Sequence, residues 1–201
     1  AARSAPAQPL SRHVHGQSTA AGDPVDSGGR PRHGAVAGAD GAARGAAGYG
    51  AEVRGGTANC TVVISTEEIA SPVASEPEFA VLMNNPSLFR FQNQVQSGGT
   101  IFLNSSMIES RPVRGDLEIY EIPVNDLAKQ LPGNKVSNII MLGAFVKKAG
   151  LVSLDTMTRA LRDTFGHKNP TIFKSNKAAL LLGHDYLVTR AGFSSISVFT
   201  P

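Results

Sequence analysis

A single cysteine, Cys60, stands among the 201 residues of this chain. No disulfide can form within it, and an iron–sulfur cluster, which takes about four thiolates, cannot be held by this chain alone. Cys60 lies in an apolar strand pattern, where the plain reading is a small buried hydrophobe and not a reactive thiol. Long apolar runs are missing too. None exceeds Ala178–Leu182, far short of the ~20 residues a membrane helix requires. No charged n-region, apolar h-region and small-residue cleavage site follow one another near residue 1, so the expectation is a cytoplasmic protein. Nor is there a large excess of charge: the formal balance is +3, with Lys and Arg scattered and no aromatic interleaving, which argues against nucleic acid.

Several chemistries are excluded in the same way. The chain has no GxxxxGK[ST] phosphate loop, GxSxG elbow, HExxH helix or thiamine-diphosphate GDG signature. Gly48-Tyr49-Gly50 reaches Val53 where a dinucleotide fingerprint wants its third glycine. The histidines form no metal spacing, so neither a catalytic residue nor a metal ligand is assigned.

With 41% apolar residues the chain can bury a core, and one domain is the default for its length. That core cannot come from residues 1–48, which contain no Ile, Phe, Met, Tyr, Lys, Glu, Asn or Cys and only one Leu, Leu10. Their Ala, Gly, Arg, Pro, Ser and His follow no sustained period, and disorder is expected. Two origins fit: a genuine disordered arm, or a shifted reading frame of a GC-rich gene ending beside intact sequence. The expected organisation is a segment 1–48, a domain 49–187 and a tail 188–201.

From Tyr49 onward, strands and amphipathic helices alternate. Strands are expected at Ala58–Ile64, Phe79–Met83, Thr100–Leu103 and Leu117–Ile122, with Gly98-Gly99 turning the chain into the third. Pro86 suits the first turn of a helix over Ser87–Val95, with Asn85 as its cap. Three helices follow: one around Val136–Val146 closed by Gly150, one capped by Ser153 and running to Phe165, and one opened by Asn169 and Pro170. The pattern fades after about Tyr186. Strand, polar tip, helix and strand in succession predict an α/β fold, three-layer α/β/α with a mostly parallel sheet and a helical C-terminal part.

Candidate site residues lie at the ends of these strands. In Tyr49–Ile64, YGAEVRGGTANCTVVI, a polar loop runs straight into a β-branched strand. Gly55 and Gly56 permit positive φ or close backbone approach, and the planar fork of Arg54 suits a carboxylate or phosphate. Arg54 beside Glu52 also fits an ion pair shaping its own loop or a subunit contact. Asn84-Asn85 and Asn104-Ser105-Ser106 sit at strand tips, where ligands gather in open α/β sheets. The same short amides and hydroxyls cap helices and satisfy turns.

The string through RGGTANC, the Ser71-Pro72 turn, the NNPSL and NSS tips and the Leu142-Gly143-Ala144 helix resembles the γ subunit of 2-oxoacid:ferredoxin oxidoreductases, of the 2-oxoglutarate and branched-chain type. It covers Tyr49 to Tyr186, with Asn85 where the family has Gln. The resemblance implies a subunit inactive alone, working with α and β, and in some cases δ, partners. The complex would oxidatively decarboxylate a 2-oxoacid, with coenzyme A as acyl acceptor and ferredoxin as electron acceptor. Thiamine diphosphate, Mg and iron–sulfur clusters would sit on the partners. Cofactor-binding or subunit-interface positions would be Tyr49, Gly50, Glu52, Arg54, Gly55, Gly56, Asn59, Asn84, Asn85, Asn104, Ser105 and Ser106. The other reading is a stand-alone α/β module that binds a nucleotide or an acyl carrier.

Overall fold

The computed structural model describes residues 11–16, 35–38, 41–49, 58–65, 76–132, 135–166 and 169–193. The chain divides into two units, Ala1–Leu103 with Ser110–Tyr120, and Asn104–Glu109 with Glu121–Pro201.

The first unit is built on a sheet. Its strands are β1 (Ser11–Gly16), β2 (Ala35–Gly38), β3 (Gly41–Tyr49), β4 (Ala58–Ser65), β5 (Phe79–Leu82), β6 (Thr100–Asn104) and β7 (Glu118–Ile122). They lie in the order β2-β3-β4-β1-β5-β6-β7. β1 and β5 pair in parallel, as do β5 and β6. β6 and β7 also run in one direction, since Glu118 N–H donates to the Gly99 carbonyl at one end (2.9 Å) and Ser105 N–H to that of Ile122 at the other (3.0 Å). The α/β class with parallel strands is therefore found, while β2, β3, β4 and β1 pair antiparallel.

Two of those antiparallel strands and most of a third are drawn from residues 1–48, where composition predicts disorder. A sheet ladder needs only backbone N–H and C=O groups, so Ala- and Gly-rich segments can join β4 without supplying a core. Cys60 also departs from expectation, since it is exposed while Val63 on the same strand is buried. Residues three apart on a strand point to opposite faces, so a buried Val63 turns Cys60 the other way.

The core of this unit lies where β5 and β6 meet the helix α1 (Asn85–Phe91). Phe79, Leu82, Ile101, Phe102, Leu103, Leu88 and Phe91 are buried. All five residues of β6 are buried, the pattern of a strand covered on both faces. The turn into β6 needs its glycines: Gly98 has φ +74°, and a Cβ on Gly99 would lie 2.6 Å from Val95 Cγ1 and 2.9 Å from the Glu78 carbonyl oxygen. α1 ends earlier than expected and passes into a 3-10 turn, Gln92–Gln94. Its cap is Asn84, not Asn85. Pro86 has no N–H, so the Asn84 carboxamide reaches Ser87 N–H instead (3.0 Å).

The loop before β7 is fastened to the end of α1 by Arg114. Its guanidinium donates to the carbonyls of Gln92 and Val95 and pairs with Asp116. Val113 N–H donates to Gln92 Oε1 (2.9 Å), and Ser97 Oγ to Asp116 Oδ2 (3.1 Å). The hydrogen bond from Arg114 holds the Asp116 carboxyl down to about 2, from an ordinary 3.8. A depressed carboxylate favours the folded state above its unfolded value, and that contribution is lost as pH falls through the folded one. Acid titration of thermal unfolding should therefore fall more steeply for the wild type than for Asp116→Asn between 3.8 and about 2. Parallel curves would show that the clamp does not support the fold.

The second unit is helical: α2 (Val124–Ala128), α3 (Ser137–Ala149), α4 (Leu154–Leu161) and α5 (Pro170–Phe193). Its punctuation follows the sequence. Gly150 closes α3 at φ 63°, beyond Lys147 and Lys148. Ser153 Oγ accepts from Thr156 N–H (3.1 Å), and Asn169 Oδ1 from Thr171 N–H (3.0 Å) and Ile172 N–H (3.2 Å). α4 gives way to a π-helical turn, Arg162–Gly166, before the end expected at Phe165. α5 runs past Tyr186 to Phe193, and α2 has no forerunner in the sequence reading. α3 and α5 bury Ile140, Met141, Ala144, Ala179 and Leu180. Among the described residues, no helix is long and apolar enough to cross a membrane.

Candidate functional site

Strand direction collects one set of candidate residues at one end of the sheet. Gly16, the last residue of β1, is level with Cys60 on β4 and with Val81 on β5. Tyr49, the last residue of β3, pairs with Ala58, the first of β4, and Gly48 pairs with Asn59. The carboxyl ends of β1, β3 and β5 and the amino end of β4 therefore share one edge. Tyr49, Asn59 and Asn84-Asn85 follow one another along it, with β4 and β5 two strands, about 10 Å, apart. The structure thus brings these four positions to a carboxyl edge, where open α/β sheets hold ligands. Gly50, Glu52, Arg54, Gly55 and Gly56 lie outside the described residues.

The two asparagines differ in use. Asn84 Oδ1 is taken by Ser87 N–H and Ser87 Oγ and works as a cap. Asn85 sits in the first turn of α1, where its carboxamide oxygen is buried and has no hydrogen-bond partner among the described residues. An unmade bond of this kind costs about 1–3 kcal/mol, which a donor from outside would recover.

The second tip belongs to the helical unit and is closed on itself. Asn104 Oδ1 accepts from Ser106 N–H (3.2 Å), its Nδ2 donates to Asn125 Oδ1 (3.3 Å), and its carbonyl accepts from Met107 and Ile108 N–H (3.0 Å each). Ser106 Oγ donates to Asp126 Oδ2 (2.7 Å), and Lys129 Nζ to Asp126 Oδ1 (2.7 Å). These bonds, the Lys129 ammonium first, hold the Asp126 carboxyl below its ordinary value. Here the amides and hydroxyls satisfy a turn and the start of α2, with Ser105 exposed beside them. Sequence reasoning missed Asn125 and Asp126. The available signal was the Pro123-Val124-Asn125-Asp126 run directly after a strand. Among the described residues, no three His, Cys, Asp or Glu side chains gather as a metal site.

Parallel strands β1, β5 and β6 with helices between and after them place the chain in the α/β class. The family of pyruvate ferredoxin/flavodoxin oxidoreductases matches residues 22–186, and the chain belongs to it. That match begins upstream of Tyr49, where the sequence resemblance starts. The 2-oxoglutarate synthase subunit KorC of Methanothermobacter marburgensis is 27% identical over 145 residues, 67% of this chain and 78% of that protein. The ketoisovalerate oxidoreductase subunit VorA of the same organism is 33% identical over 126 residues, 62% of this chain. The match spans only 26% of VorA. Two solved structures share the fold. The γ subunit of a keto/oxoacid ferredoxin oxidoreductase from Geobacter sulfurreducens PCA has a TM-score of 0.63 at 21% identity, over 74% of this chain and 82% of that one. The 2-oxoglutarate:ferredoxin oxidoreductase of Magnetococcus marinus, solved with 2-oxoglutarate, coenzyme A and succinyl-CoA bound, has a TM-score of 0.68 at 18% identity, over 96% of this chain and 32% of that one.

Proposed function

We propose that this chain is the γ subunit of a 2-oxoacid:ferredoxin oxidoreductase. In that role it supports the coenzyme-A-dependent oxidative decarboxylation of a 2-oxoacid, 2-oxoglutarate in the first place, with ferredoxin as electron acceptor. The observation that carries this reading is the family match over residues 22–186, together with a relative, KorC, of which the chain covers 78%. The preference for 2-oxoglutarate rests on RGGTANC and on the KorC likeness.

The residues of this chain do not fit the electron-transfer groups of such a complex. One cysteine in 201 residues leaves an iron–sulfur cluster without ligands, and the GDG signature of a thiamine-diphosphate site is absent. Those groups, with Mg, belong to α and β or δ partners. The contribution of this chain is to brace the core and to help cover the approach of coenzyme A. Arg54 would meet a phosphate, and the Asn85 carboxamide oxygen, which has no hydrogen-bond partner among the described residues, would accept a hydrogen bond from an amide or hydroxyl of the pantetheine arm.

Anaerobic purification of the tagged chain from its source cells tests the subunit role. Thiamine-diphosphate-binding partner chains, and coenzyme-A-dependent viologen reduction fastest with 2-oxoglutarate, are expected. A chain recovered alone and inactive would favour a stand-alone nucleotide- or acyl-carrier-binding module. In the purified complex, Asn85→Ala should raise KM for coenzyme A about 5-fold, the worth of one hydrogen bond, without lowering the unfolding temperature. An unchanged KM would remove Asn85 from the site.

A further inference from the structure

Ser87, in the first turn of α1, is fully buried, as is Leu88 beside it. Its N–H donates to Asn84 Oδ1 at 3.0 Å, and its hydroxyl donates to the same oxygen. Capping needs only the first of these bonds, and alanine at position 87 would keep it. The second is additional, and at a buried position water does not compete for it. Together with the helical bond from Leu88 N–H to the Asn84 carbonyl (3.2 Å), the two bonds close a ring around Asn85-Pro86. The residue before a proline favours extended backbone, yet Asn85 is already the first residue of α1. Its carboxamide oxygen is also buried with no hydrogen-bond partner among the described residues. On a loose turn such a side chain would swing toward water, where the oxygen finds a donor. The Asn84–Ser87 bridge, seated on the buried Leu88, limits that escape.

We propose that Ser87 is a positioning residue for coenzyme A: its hydroxyl, acting through Asn84, fixes the turn between β5 and α1 so that the Asn85 oxygen is kept ready for the donor it lacks. The role rests on the contact proposed above between Asn85 and the pantetheine arm. A turn fixed in advance spares the ordering of Asn85 when the ligand binds, so its loss is felt in affinity and not in the chemical step.

The test is steady-state kinetics of the purified complex carrying Ser87→Ala, Asn84→Ala or Asn85→Ala, and each of the first two combined with Asn85→Ala. Ser87→Ala should raise KM for coenzyme A about threefold at unchanged kcat, and Asn84→Ala, which breaks the same bridge from its other end, at least as much. In the Asn85→Ala background neither should add: KM should stay about fivefold above wild type, where independent effects would multiply to about 15-fold. A cap that only supports the fold would lower the unfolding temperature and leave KM unchanged, or would multiply with Asn85→Ala, and either result overturns the positioning role. If Asn85→Ala raises KM while Ser87→Ala and Asn84→Ala do not, the Asn85 contact stands and the positioning role alone is lost. If Asn85→Ala leaves KM unchanged, the contact and the positioning role fall together, while recovery of the partner chains still decides the subunit reading.

Discussion

Gly183→Ala should unfold the helical unit about 10 °C below the wild type. A Cβ at Gly183 would lie 1.8 Å from the carbonyl oxygen of Ile140 on α3. Gly143 answers from the other side, where a Cβ would come within 2.1 Å of the Leu180 carbonyl oxygen and 2.9 Å of His184 N on α5. The two helices therefore touch backbone to backbone at a reciprocal pair of glycines. No flexible side-chain end stands there to move aside, so the helices themselves must separate. Overpacking costs about 1–3 kcal/mol and at times more, and a clash with backbone belongs at the upper end. At about 2–4 °C per kcal/mol for a chain of this size, the shift is on the order of 10 °C. The sign is the diagnostic part, because alanine in place of glycine within a helix otherwise gains about 1 kcal/mol. Gly115→Ala is the control, since its Cβ would meet nothing within 4 Å. Thermal unfolding followed by helical circular dichroism decides the matter: a Gly183→Ala chain as stable as the Gly115→Ala control would mean that α3 and α5 do not pack this closely.

Phe102→Ala should be the most damaging truncation in the sheet unit. Phe102 is fully buried on β6 and stacks on Tyr120, with ring centroids 5.5 Å apart and planes at 20°. Replacing a buried phenylalanine by alanine costs about 3–5 kcal/mol, combining lost transfer energy with the cavity left behind. Phe89→Ala, on the exposed face of α1, should stay within about 0.5 kcal/mol of wild type. Urea titration of both variants measures the contrast directly. Equal losses would place Phe89 in the core as well.

The candidate site was legible in kind and less so in detail. A Gly-Gly loop entering a β-branched strand and two asparagine-rich tips marked the strand ends, and strand pairing then set Tyr49, Asn59 and Asn84-Asn85 along one edge. What each amide does there could not be read. With Asn84 and Asn85 adjacent, the choice of cap depends on which oxygen reaches Ser87 N–H past Pro86, a matter of backbone position and not of residue type. At the other tip, Asn104 and Ser106 are engaged by Asn125 and Asp126, some twenty residues further on, and nothing local announces that meeting.

The sequence by itself determined the family signature, the α/β class, the three C-terminal helices and their stops and starts at Gly150, Ser153 and Asn169-Pro170. Those features are local, since a cap or a left-handed glycine is satisfied within four residues of chain. Only the tertiary structure decided that Ala- and Gly-rich segments upstream of Tyr49 join the sheet, that Cys60 faces outward, that Arg114 closes on the end of α1, and that Gly143 and Gly183 meet. Each of these depends on groups far apart in the chain. Their pairing is fixed by backbone hydrogen bonds and by packing, neither of which leaves a period in the sequence.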